Sequence, residues 1–294
     1  MLIFWSILLY FSFAVVDVMD KFLLSARKIH AISYTFFTVV TGTLLLVAWP
    51  LVYESLPAKF VGLNLLSGVF FSLTMYVFFR VLSYGEASRV VPFVFALVPV
   101  FDVLLSLAFK TNALTVKEFS ALCLLVPGAA LMAYWPGRAG ISHLALKILA
   151  AFLFSAYNHL WQFGAQTGSS LNNLMWNRLG AAGILVLLLL VPAFKKKVFS
   201  VKQVKKKTHT SVLFLFKQAL GGLNFVFLSH LLTVGKVSVV DSLAVFRYGF
   251  LFVSAFVLSK FHSRILSEET DKKVIFQKLG ALALIFLGTV VFFL

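Results

Sequence analysis

Residues 80–106 read RVLSYGEASRVVPFVFALVPVFDVLLS. Both ends are apolar, yet the middle holds Gly85, Glu86, Arg89, Pro92, Pro99 and Asp102. A glycine followed by polar residues between two greasy runs marks a tight elbow joining two antiparallel spans. Each proline in the second run removes a helical hydrogen bond. That predicts a bent helix whose freed carbonyls face protein or water rather than lipid. Gly85, Pro92 and Pro99 are thus hinge candidates, and Asp102 lies three residues past Pro99 on roughly the same face.

The whole chain has this character. Of 294 residues, 61% are hydrophobic and 12% charged, against about 25% charged in an ordinary soluble domain. A water-soluble fold could not cover so much apolar surface. Runs such as GILVLLLLV (183–191) do not alternate apolar with polar residues, which excludes the strands of a membrane β-barrel. With roughly 20 apolar residues needed per span, the sequence divides into about ten transmembrane helices joined by short connections. The single Cys123 lies in an apolar run, with no disulfide partner and no metal-ligand spacing around it. It reads as a small packing residue, and no metal or cofactor is expected. The first span lacks the basic flank and cleavage site of a secretory signal.

The net charge of +16 is concentrated in connections. The lysines of KKKVFSVKQVKKK (195–207) lie between the seventh and eighth spans, where they read as a topology signal and not as a nucleic-acid site. Arg27, Lys28, Arg89, Arg138, Lys147, Lys260, Arg264, Lys272, Lys273 and Lys278 fall at the same alternate connections. The intervening ones carry only Lys59, Lys110, Lys117 and Lys236. Positive-inside logic puts the lysine-rich loop 194–211 in the cytoplasm and both termini outside, in a plasma or inner membrane.

The opening stretch has an echo. HLLTVGKVSVVDSLAVFRYGFLFVSAF (230–256) aligns with it so that Leu82 meets Leu232, Gly85 meets Gly235 and Ser88 meets Ser238, with Asp241 answering Val91. Further on, Gly128 is answered by Gly288 after a short insertion. A five-span unit used twice enters the membrane upside down the second time, because five is odd. The expected architecture is all-α, with a first five-helix repeat over 1–138 and a second, inverted one over 139–294. Inverted repeats are typical of secondary transporters with a site near the midplane.

On these features the chain resembles an EamA-type member of the drug/metabolite transporter superfamily. The similarity rests on the L-x-x-G-x-x-S elbow followed by Pro99, on Glu118 with Gly128 in the fifth span, and on Arg178 in NRLGAAGIL. The sequence departs from the family pattern in KTNALT (110–115), which replaces a glutamate after span four. It departs also at Gly249, where a proline would be expected, and in a second span without an arginine. The resemblance implies movement of amino acids or related metabolites, amino-acid export among them, with termini usually drawn in the cytoplasm.

Charges within spans are costly and tend to face the bundle interior. In span one, Asp17 and Lys21 have the spacing of a local ion pair. In span three, Tyr76, Arg80 and Tyr84 recur every fourth residue, with His230 at the matching position of the second half. Asp102 and Arg247 are the deepest charges and are expected to meet across the two halves. Asp241 and Tyr248 share another stripe of span nine. Asn158, Trp161 and Gln162 give span six an amide–aromatic face suited to a polar metabolite. Arg178 reads as a structural anchor.

No nucleotide-binding signature is present, so ATP is not the direct energy source. The reading is a non-ATP carrier of a small polar solute, anionic or zwitterionic, working by alternating access. It is driven by protons titrating Asp102 or His230, or by the solute gradient alone. The alternatives are a membrane-embedded enzyme and a structural or receptor-like bundle. The expected partners are the solute and the bilayer, with protons if coupling operates, in a monomer or homodimer.

Overall fold

In a computed structural model describing residues 2–27, 29–109, 115–133, 141–199, 208–234, 243–261 and 271–293, the secondary structure is entirely helical among those residues. Helix α1 spans Leu2–Lys21 and ends in a π-helical turn, Phe22–Ala26. Helix α2, Ala31–Gly42, tightens into a 3₁₀ segment, Thr43–Ala48, and continues as the short α3, Trp49–Val52. Then come α4 Ala58–Tyr84, α5 Ala87–Ala108, α6 Val116–Ala133, α7 Ile141–Gly164, α8 Ser170–Leu188 and α9 Pro192–Phe199. The last three are α10 Thr208–Val234, α11 Val245–Phe261 and α12 Lys272–Phe293.

This is an all-α integral membrane protein. Among the described residues, seven helices are long and apolar enough to cross a membrane, or eight if α8 and α9, bent by 107° at the break before Pro192, form one broken span. The expected count of ten is therefore not reached by this measure. The apolar part of α11 falls short of a full span, covering Val245–Leu258, and the last two turns of α1 carry Asp17, Asp20 and Lys21.

Local chemistry sets the helix ends. The elbow predicted at Gly85 is a two-residue connection: the Gly85 N–H closes α4 on the Val81 carbonyl at 3.0 Å, and Glu86 is the N-cap of α5. A β-carbon at Gly85 would lie 2.5 Å from Val90 Cγ2, so the turn requires glycine. Helix α5 continues unbroken through Pro92 and Pro99. At α6 a capping box operates, with Thr115 Oγ1 accepting from the Glu118 N–H and Glu118 Oε2 accepting from the Thr115 N–H.

Helix α4 packs along α7 and α8, α5 along α6 and α7, α1 along α10 and α11, and α6 along α12. Lipid supplies no hydrophobic drive for helices to associate, so such contacts depend on close backbone approach and polar links. Both occur between α4 and α8. A β-carbon at Gly68 would collide with the Asn177 carbonyl, and one at Gly180 with the Leu65 carbonyl. Beside them Asn64 Nδ2 donates to Asn173 Oδ1 at 2.7 Å, Asn177 Nδ2 to Ser67 Oγ at 2.7 Å, and Ser72 Oγ to the Ala181 carbonyl at 2.8 Å. Between α6 and α12 the approach is reciprocal. Gly128 faces Leu284 and Ile285, while Gly288 faces Leu124 and Leu125. Cys123, expected to pack inside, is exposed on α6.

Three cations counted toward the loop bias lie inside the bundle. Arg89 is 1% exposed and donates through Nε to Glu86 Oε2 at 2.7 Å. Lys278 of α12 reaches the same carboxylate at 2.8 Å and Ser88 Oγ at 2.9 Å. Lys147 of α7 sits with its ammonium 5.6 Å from the Phe93 ring. These side chains tie α5, α7 and α12 together near one end of the bundle.

Candidate functional site

Helix α1 places Asp17 and Asp20 one turn apart, and each is met by a cation from the C-terminal part of the chain. Arg247 of α11 makes a two-pronged contact with Asp17, Nε to Oδ2 at 2.7 Å and Nη2 to Oδ1 at 2.7 Å. The guanidinium carbon lies 4.8 Å from the Phe95 ring centre and 5.2 Å from that of Phe13. Such a fork fits a carboxylate in both directionality and charge. The Asp17 side chain is 3% exposed and that of Arg247 19%, so the arginine is the reachable member. Its Nη1 makes no hydrogen bond to any described residue, and Tyr248 is buried beside it.

One turn along α1, Asp20 pairs with Lys217 of α10 at 2.7 Å and accepts a short hydrogen bond from the Tyr34 hydroxyl. The Lys217 ammonium also lies 5.2 Å from the Tyr34 ring centre and 5.5 Å from that of Phe79. Next to it, Gln218 Nε2 donates to the Thr38 carbonyl and to Thr41 Oγ1. Farther up the helix, Ser12 donates to Asn224 at 2.8 Å. The polar side of α1 is thus bonded along its length to α10 and α11.

The expected contact between Asp102 and Arg247 does not form. Phe95, which stacks on Arg247, precedes Asp102 by two turns of α5, about 10 Å along the axis. Asp102 instead accepts from Ser155 Oγ of α7 at 2.5 Å and lies 3.5 Å from His159 Nδ1. His159 Nε2 is 3.3 Å from Ser106 Oγ. The Asp102 side chain is 31% exposed. The local pair expected between Asp17 and Lys21 is likewise replaced: Arg247 takes the carboxylate, and the Lys21 ammonium donates to the Leu82 carbonyl at 2.9 Å.

Other predicted residues lie elsewhere. Arg80 is exposed on α4, 3.3 Å from the Tyr76 hydroxyl, and with Tyr84 lines a cavity at the end of the bundle rather than its centre. Asn158 and Trp161 are half-buried and Gln162 is exposed; their side chains hydrogen-bond to no described residue. Here the active face of α7 is that of Ser155 and His159. Arg178 lies over the Phe71 ring at 4.7 Å, and its Nε is buried without a hydrogen-bond partner among the described residues. Gly235 and Asp241, and the side chain of His230, lie outside the described residues. Among those described, no group of three or more His, Cys, Asp or Glu is placed to hold a metal ion.

The arrangement so far is a lipid-embedded helical bundle whose costly charges are drawn inward and paired between helices. The N-terminal part of it has known relatives. Residues 1–134 match the EamA-like transporter family. The EamA-like segment runs from α1 through α6 and contains Asp17, Asp20, the Gly85 elbow, Asp102 and Gly128. It agrees with the resemblance read from the L-x-x-G-x-x-S elbow and the Glu118 to Gly128 pattern. A comparison with curated proteins finds no match to the chain.

Sequence reasoning did not single out Tyr34 or Lys217, and it set His159 only beside the amide–aromatic face of span six. Lys217 was visible as a lone cation within a span, and His159 as one helical turn beyond Ser155, but neither position names its partner. The asparagines of α8 gave a better signal. Asn173, Asn177 and Gly180 recur at helical spacing and form one small, polar stripe.

Proposed function

We propose that this protein is a secondary transporter that moves a small zwitterionic or anionic metabolite, of the amino-acid class, by alternating access. The observation that carries the reading is the fork between Asp17 and Arg247. It joins the first and eleventh helices inside the bundle and leaves one guanidinium nitrogen without a partner among the described residues. A zwitterion complements both members of this pair. Its carboxylate can occupy the free side of Arg247, and its ammonium can approach Asp17 as the fork opens. The aromatic rings of Phe13 and Phe95 hold the arginine while its anion is exchanged.

The reciprocal seating of Gly128 and Gly288 supports two five-helix halves, 1–138 and 139–294, related by an in-plane two-fold axis. Gly128 meets Leu284 and Ile285 while Gly288 meets Leu124 and Leu125, in the manner of a self-complementary interface. In the same arrangement α1 faces α11 as α7 faces α5. Asp17 with Arg247 and His159 with Asp102 then become the two inter-helix polar contacts of corresponding pairs. The second sets an imidazole 3.5 Å from a carboxylate. If transport is coupled to protons, Asp102 and His159 are the pair this reading assigns to it.

The test is uptake of radiolabelled amino acids by proteoliposomes holding the purified chain, with and without a pH gradient. Saturable uptake that Arg247→Gln abolishes supports the reading. A protein that binds no solute and moves none would be a structural bundle, and one that chemically alters the solute would be a membrane enzyme.

A further inference from the structure

Two cavities lie side by side at the end of the bundle where α2 begins and α4 finishes. The first, of about 450 Å³, is lined by His30, Tyr76, Arg80, Tyr84 and Lys197 among others. The second, of about 340 Å³, runs between α2, α4, α8 and α9 past Val69, Leu73, Ile184, Leu188 and Phe194. Ile32 and Tyr76 line both. One end of the combined space is basic and phenolic, and the other is almost wholly apolar.

From this we infer a binding site for an anionic phospholipid, its headgroup phosphate held by Arg80, His30 and Lys197 and one acyl chain laid along the apolar cavity. Arg80 has no carboxylate within ion-pair distance among the described residues; its one hydrogen bond is to the Tyr76 hydroxyl. A cation in that state is complementary to a phosphate, which accepts two N–H donors at once. Helix α9 completes the site. The 107° bend after α8 lays it across the bundle end, with Lys195, Lys196 and Lys197 outward. Val198 is buried and Phe194 borders the apolar cavity. Basic residues on one side of a short helix and apolar ones on the other suit the headgroup level of a bilayer. A free phosphate would use only the first cavity. The shared wall at Ile32 and Tyr76 is what favours a ligand with both a phosphate and a hydrocarbon chain.

The full-length chain, purified in detergent, is titrated with phosphatidylglycerol, with phosphatidylcholine of the same acyl chains, and with glycerol 3-phosphate. Retention is read by native mass spectrometry and stabilisation by thermal unfolding. Phosphatidylglycerol is expected to bind and stabilise more than either comparator. Arg80→Gln should weaken it about fivefold, the scale of one basic side chain at a membrane face, whereas Lys59→Gln at the opposite end changes nothing. Ile184→Trp or Leu73→Trp, which fill the apolar cavity, should weaken phosphatidylglycerol while leaving glycerol 3-phosphate unaffected. Equal retention of phosphatidylglycerol by the wild type and Arg80→Gln overturns the site, as does glycerol 3-phosphate matching the intact lipid.

Discussion

Gly128 on α6 and Gly288 on α12 each let the other helix's aliphatic side chains approach to where a side chain of their own would stand. A β-carbon on Gly128 would lie 2.9 Å from Ile285 Cγ1, and one on Gly288 would lie 2.8 Å from Leu125 Cγ. The contact reads the same from either helix.

Filling that contact should therefore be costly from both sides. Gly128→Leu and Gly288→Leu are each expected to destabilise the fold by about 1–3 kcal/mol, the range for overpacking a close contact. Gly183 and Gly221 have nothing within 4 Å of a built β-carbon. Alanine there should be neutral or stabilising by up to about 1 kcal/mol through helix propensity. Thermal unfolding in detergent, compared across the four variants, checks both halves of this expectation.

Removing one member of a buried pair leaves the other charged in a low-dielectric interior. Asp17→Asn and Arg247→Gln should each cost about 3–5 kcal/mol, and the double variant should cost clearly less than the two summed. Additive losses in the double-mutant cycle would mean that the two residues act separately. The same cycle applied to Asp20→Asn and Lys217→Met should give coupling of the same sign.

Asp102 lies at the α5–α7 contact and is partly accessible, so neutralising it should spare the fold. Asp102→Asn is expected to unfold within a few degrees of the wild type and to lose the response of uptake to a pH gradient. His159→Gln should show the same loss. Full pH-driven uptake by Asp102→Asn would remove this residue from coupling.

Orientation can be read by labelling single cysteines in a Cys123→Ser background, since Cys123 is itself exposed. Lys196→Cys on α9 and Lys59→Cys at the start of α4 are both exposed and lie at opposite ends of the bundle. An impermeant maleimide added to intact cells should reach position 59 and not 196, as positive-inside logic requires. The reverse pattern would invert the topology.

Span limits were legible because lipid imposes a length and an apolar composition on each helix. The elbow read at Gly85 falls between the observed Ala58–Tyr84 and Ala87–Ala108. The Gly85 elbow was legible because a glycine followed by polar residues interrupts two apolar runs. Partners were not. Asp17 and Lys21 have the spacing of a pair, but Arg247 outcompetes Lys21 with a two-pronged geometry from a helix distant in sequence. Asp102 and Arg247 share only depth, and depth does not say which helices adjoin. Arg80 was read as a cation of the solute pathway because His230 matches it in the second half, yet the strip it shares with Tyr76 and Tyr84 faces a cavity at the bundle end. Arg89, Lys147 and Lys278 were read as loop charges, although a common carboxylate at Glu86 draws two of them inside.

The most direct test of the central claim is uptake of a panel of zwitterionic and acidic amino acids by proteoliposomes, comparing the wild type with Arg247→Gln and Arg247→Lys. Saturable uptake of at least one solute is expected in the wild type. It should fall at least tenfold in Arg247→Gln and recover only in part in Arg247→Lys, which keeps the charge but not the fork. Uptake by Arg247→Gln at the wild-type rate would contradict the account.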